Sequence, residues 1–164
     1  MSIRLSRDEF TSSDERVVAL RRGQIFATHF KQDMSVAAME EFAAWQRARL
    51  GPDDKIISFS LVLGAQRLPS DVSDATGRYI KEFAARTRAS GTVIAATGFA
   101  ASAARAMAST FYLVSRLPFP RKVFASVADA EQWLTEYATD RDHLQRAADW
   151  LRLIEALGTS SDGQ

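Results

Sequence analysis

The 164-residue chain contains no cysteine. That excludes a disulfide framework, a thiolate metal site, a thiol redox switch and a cysteine nucleophile. Histidine is almost as scarce: only His29 and His143 occur, far apart and without the HExxH or similar partners that a catalytic zinc needs. Each therefore reads as a structural or solvated side chain. Glycine (8) and proline (4) are few, and 46% of residues are hydrophobic, which excludes collagen-like, mucin-like and disordered chains. Neither charge sign dominates. With 21 basic against 20 acidic residues and a net charge of +1, a dedicated nucleic-acid binder is not expected. The most apolar stretch, Thr92 to Ala108, is interrupted by Gly98, Ser102 and Arg105, whereas a spanning helix needs about 20 apolar residues. The first residues lack the apolar core of a signal peptide, so the expected location is the cytoplasm, without membrane insertion. No GxxxxGK[ST], GxGxxG or GxSxG string occurs, and the paired acids read as solvated turns and faces. The expectation is a non-enzymatic domain with no cofactor and no metal.

The length suits one domain with a real core. Residues 1–14 are polar and read as a flexible N-terminus, and 158–164 as a flexible tail. Arg16 to Ala19 and Gln24 to Phe30 flank Arg21-Arg22-Gly23, which predicts an antiparallel hairpin with Gly23 supplying a positive φ. Ser35 precedes a helical stripe of Val36, Met39, Phe42, Ala43 and Leu50, stopped by Gly51-Pro52. Lys55 to Leu63 reads as a central strand buried on both faces. A second helix starts near Pro69-Ser70-Asp71 and runs to about Ser90-Gly91, with Val72, Ala75, Tyr79, Ile80 and Phe83 on its apolar face. Thr92 to Thr97 reads as a strand, Ala100 to Leu117 as an Ala-rich helix stopped by Pro118 and Pro120, and Lys122 to Ala125 as a last strand. Ser126 then caps a final helix with Asp129 and Glu131 in its first turn.

In that last segment Ala130, Trp133, Tyr137, Asp140, Leu144, Ala147, Leu151 and Ile154 alternate steps of three and four, the rhythm of a packing seam. An unbroken helix of about 30 residues would reach roughly 45 Å, more than a small domain needs to cover its sheet. Two arrangements follow. Leu144, Ala147, Leu151 and Ile154 pack on another chain, such as a second copy, or the helix breaks near Thr139-Asp140 and folds back onto its own domain. Arg21 and Arg22 are candidates for meeting an acidic partner, with a solvated rim as the plainer reading. Asp74-Ala75-Thr76-Gly77 lies near the start of the second helix, where the dipole favours an added phosphate on Ser70, Ser73 or Thr76; the alternative is that these hydroxyls are caps or helix surface. Phe99, Phe111, Tyr112 and Trp133 could line a pocket for a small molecule or lipid, or could simply be aromatic core.

The succession of hairpin and alternating helices and strands from about residue 16 to 138 resembles the STAS domain family of anti-sigma-factor antagonists and relatives. Closer still are divergent bacterial STAS-like proteins, on the strength of Leu117-Pro118-Phe119-Pro120, Val123-Phe124, Ala128, Ala130 and Trp133-Leu134, which are similar to that family's closing strand and helix. The resemblance implies an α/β fold: a mixed, mostly parallel sheet of about five strands with an N-terminal hairpin and about four helices. It divides the chain into a STAS-like domain at 15–139 and a C-terminal helical extension at 140–157. It also implies a regulatory protein-binding module whose partner is a regulator, a kinase or an anti-sigma-like protein. Family members that are phosphorylated carry a D-x-[ST]-G element, which places Thr76 at the acceptor position, with Asp74 and Gly77 beside it; Ser73 and Ser70 are local alternates.

Overall fold

The computed structural model describes residues 7–31, 33–63, 69–95, 102, 105 and 116–159. A six-stranded sheet runs in sequence order: β1 (Glu9–Thr11), β2 (Val17–Arg22), β3 (Ile25–Phe30), β4 (Ile56–Val62), β5 (Thr87–Ile94) and β6 (Arg121–Phe124). The first three strands pair antiparallel and β3 through β6 pair parallel. The helices whose bounds fall among the described residues are α1 (Val36–Arg47), α2 (Ser70–Phe83), α3 (Val127–Leu134) and α4 (Arg141–Thr159). The expected α/β class, the hairpin and the C-terminal helix are all present, with one strand more than expected. Of the helix expected over Ala100 to Leu117 only residues 102, 105, 116 and 117 are described, the first two as helix and the last two not, and Phe99, Phe111 and Tyr112 lie outside the described residues.

The additional strand is β1, inside the segment expected to be flexible. Its turn is held by Ser12, whose Oγ accepts from the amides of Arg16 and Val17 at 3.0 Å each and donates to Asp14 at 2.7 Å. Asp14 also accepts from Ser35 Oγ at 2.5 Å, and the same hydroxyl caps α1 by accepting from Ala38 N at 3.0 Å. These bonds from Ser35 and Ser12 hold the Asp14 carboxyl below its usual pKa. Polar residues that show no period in sequence thus tie the sheet edge to a helix start.

The sheet separates two cores. On one face α1 and α2 cover Val17, Ala19, Phe26 and Ile56 with Met39, Phe42, Trp45, Val72 and Phe83. On the other, α3 and α4 cover Ala27, Ile57, Phe59, Leu61 and Val93 with Ala130, Leu134, Leu144, Ala147 and Leu151. Helix α2 ends at Phe83, earlier than the expected Ser90-Gly91, and a 3-10 turn at Ala84–Arg86 leads into β5. The segment Thr87 to Gly91 has no apolar run, so strand formation there depends on pairing with β4.

Asp140 explains the end of the expected seam. Its Oδ1 accepts from the amide of His143 at 3.1 Å, so the one polar seam position starts a new helix. Helix α4 then returns across the sheet. At its start the His143 ring lies against the hairpin turn, where a Cβ on Gly23 (φ +56°) would collide with Nδ1. At its far end Gly158 approaches Leu63, just past β4. Of the four residues offered to another chain, Leu144, Ala147 and Leu151 are at most 1% exposed within this one, and Ile154 packs partly buried against the same core. Folding back wins because the part of this sheet face that α3 does not cover would otherwise be open to water.

Candidate functional site

Three surfaces gather the candidate residues. The first is the start of α2. Pro69 occupies the cap position and offers no side-chain bond, while Ser70 opens the first turn exposed. Asp71 accepts from the amide of Val72 at 2.9 Å, and Ser73 and Asp74 point to solvent one turn on. Thr76 is placed differently. It lies in the second turn, partly buried, and its Oγ1 donates to the carbonyl of Val72 at 2.8 Å. Asp74-Ala75-Thr76-Gly77 is therefore helix interior, which corrects its expected place near the helix start; a Cβ on Gly77 would meet nothing within 4 Å. Ser70 is the candidate hydroxyl nearest the positive end of the helix dipole.

The second surface is the hairpin tip with Arg21 and Arg22. It lies where β4 begins, since Ile25 pairs with Ile57, whereas α2 starts beyond the other end of β4. Seven strand residues separate the two ends, roughly 20 Å at about 3.3 Å per residue. Arg21 and Arg22 of the hairpin and the start of α2, both offered by the sequence for partner binding, therefore do not share one surface. Arg21 instead borders a cleft of about 340 Å³ with Gly23, Asp54, Lys55, Asp140 and His143. Its Nε donates to the Gly23 carbonyl at 3.0 Å and its guanidinium lies 5.8 Å from the Phe26 ring centre. Arg22 donates to the carbonyl of Arg21 at 3.0 Å. Lys55 donates to the carbonyl of Ala85 at 2.9 Å, and Asp54 accepts from the amide of Gly51 at 2.7 Å. His143 Nδ1 lies 3.4 Å from Asp140 Oδ2. A histidine and a carboxylate thus meet here, but these charges mainly hold turns in place. Nothing in the sequence links His143 to Gly23, because chain reversal at Asp140 brings them together. Among the described residues no group of three or more His, Cys, Asp or Glu side chains is placed to hold a metal ion.

The third surface is the outer side of α4. Its inner stripe is core, yet Leu153 and Leu157, one turn apart, are 60% and 64% exposed. Trp150 lies half-buried a turn before Leu153. Arg152, beside them, bonds Glu131 of α3 and, at 2.9 Å, Asp149. These contacts keep the helix fixed while its leucines face water. The sequence already sets Trp150 and Leu153 off the seam, where they widen the apolar surface, whereas Leu157 was missed; its offset from the buried stripe is the signal that could have found it.

Trp133, the described member of the proposed aromatic pocket, packs 5.6 Å from Phe124 and 5.0 Å from Tyr137, partly buried against the core. No helix among the described residues is long and apolar enough to cross a membrane. The fold is of the α/β class, a mixed and mostly parallel sheet with helices on both faces. The chain matches no family model, no curated protein and no solved structure.

Proposed function

We propose that the chain is a cytoplasmic, STAS-like regulatory module that acts by binding a protein partner and performs no chemistry of its own. The observation that carries this reading is the outer side of α4. A helix already locked to its domain by a buried inner stripe gains nothing for folding from exposed Leu153 and Leu157, whereas a docking partner would bury both. A phosphate on Ser70, at the start of α2, would add about two negative charges where the dipole favours them and would alter affinity for a partner that reaches that end.

The test is affinity purification with Leu153→Glu/Leu157→Glu beside the unaltered chain. Both leucines are exposed, so the melting temperature should stay nearly constant while the captured partner is lost. Capture of the same partner by both forms would remove α4 from the interface. Light scattering identifies the partner as a second copy if the mass doubles for the unaltered chain and not for the variant. Ser70→Glu in the same assay should change the amount of partner retained.

A further inference from the structure

The α1/α2 face of the sheet is polar at its centre. On β3, β4 and β5 the side chains Thr28, Ser58, Ser60, Ser90 and Thr92 line one cavity. The registers make them neighbours: Thr28 pairs with Ser60 and Ser60 with Thr92, while Ser58 pairs with Ser90. With strands about 4.8 Å apart, the Thr28–Ser60–Thr92 row spans roughly 10 Å. The opposite face of the same strands is apolar, through Ala27, Ile57, Phe59, Leu61, Ala89 and Val93. Parallel strands covered on both faces ordinarily carry apolar residues on both, so a block of hydroxyls forgoes packing that valine or isoleucine would supply.

The floor is also low. Short side chains leave a cavity of about 210 Å³ beneath Met39, Phe42, Tyr79 and Ile80, roughly the share of liquid volume taken by seven waters at about 30 Å³ each. Thr28 and Ser60 are 2% and 7% exposed, so they are withdrawn from bulk solvent. Ser58 and Ser60 lie 3.4 Å apart, a long contact that leaves hydrogen-bonding capacity for a third group. Tyr79 adds wall and no donor, because its hydroxyl already donates to Gln46 Oε1 at 2.6 Å.

Apolar walls around a few convergent polar groups are the composition of a small-molecule site. We infer that this cavity binds a small uncharged ligand, with a compact apolar body against α1 and α2 and a hydroxyl, phenol or amide group on the Thr28–Ser60–Thr92 floor. Hydroxyls donate and accept equally, which suits a neutral group of that kind, and a charged head would lose its hydration in a low-dielectric site. The site is independent of the α4 surface proposed for the protein partner.

The experiment is an amide NMR titration of the full chain with phenol, cyclohexanol and benzamide, and with benzoate as the charged counterpart. The expected result is saturable shifts centred on β3, β4 and β5 for the neutral probes and weaker ones for benzoate. Ser60→Val, which fills the floor, should abolish them. Ser60→Ala, which removes one hydroxyl and little volume, should weaken binding about two- to twelvefold, the effect of a single hydrogen bond. The inference is overturned if no neutral probe saturates, if benzoate binds as well, or if neither substitution alters the shifts. Because Leu153→Glu/Leu157→Glu leaves this cavity untouched, the failure of either proposal leaves the other standing.

Discussion

His29 sits in β3, facing the α3/α4 core, with 7% of its surface exposed and no hydrogen-bond partner for Nε2. Burial, helped by nearby Lys31, lowers its pKa from 6.5 to about 4. The unfolded chain takes up this proton near pH 6.5 and the folded chain only near pH 4, so acidification favours unfolding between those values. The contribution is intact above pH 6.5 and is lost progressively toward pH 4, by up to roughly 3 kcal/mol at about 1.36 kcal/mol per pKa unit. Urea midpoints measured across this window should fall for the unaltered chain and fall less steeply for His29→Leu. Equal slopes would show that His29 is not the group responsible. Sequence reading left His29 either structural or solvated, and its burial, which depends on packing against the α3/α4 side, decides for the first.

At the scale of elements, α4 offers a direct comparison between two leucines two positions apart. Leu151 is fully buried and Leu153 is 60% exposed. Leu151→Ala should cost about 2–5 kcal/mol in a denaturant melt, whereas Leu153→Ala should change stability by no more than about 0.5 kcal/mol. Similar values for the two would contradict the packing of α4. Truncation after Thr139 should likewise unfold the domain, since it bares Ala27, Phe59 and Leu61; a cooperative melt near that of the full chain would refute this. The three-and-four spacing made a helix with one apolar face legible. It could not say what that face covers, because the same stripe serves a partner chain or the chain's own sheet equally well.

For the whole molecule, the order β1 to β6 places β3, β4 and β5 between neighbours on both sides, with cores above and below. Amide hydrogen exchange should therefore be slowest in β4, paired along its length with β3 and β5, and faster in the edge strands β1 and β6. Comparable protection in β1 and β4 would mean that the sheet opens as one unit. The two ends of the sheet are also separate places. A phosphate on Ser70, as proposed above, would sit roughly 20 Å from Arg21 and Arg22, so any coupling between the two places would have to pass through the sheet.

Much of this plan was present in residue order. Gly23 announced the hairpin, Ser35 and Ser126 the starts of α1 and α3, and Ile56 to Val62 a central strand. These features are local, set by backbone preferences and caps that act within a few residues. Strands β1 and β5 were illegible or misplaced because polar residues become strand only when a partner satisfies their backbone. Ser58 and Ser60 were read within a central strand buried on both faces, which it is, and their alternation with Phe59 and Leu61 already divided it into a hydroxyl face and an apolar one. Only the tertiary structure decided that Asp140 turns the chain back, that Leu144 to Leu151 close their own core, and that Leu153 and Leu157 remain outside. The cysteine-free composition determined what chemistry the chain cannot do. Where its hydroxyls, histidines and leucines meet depended on contacts between residues far apart in sequence, which no local pattern encodes.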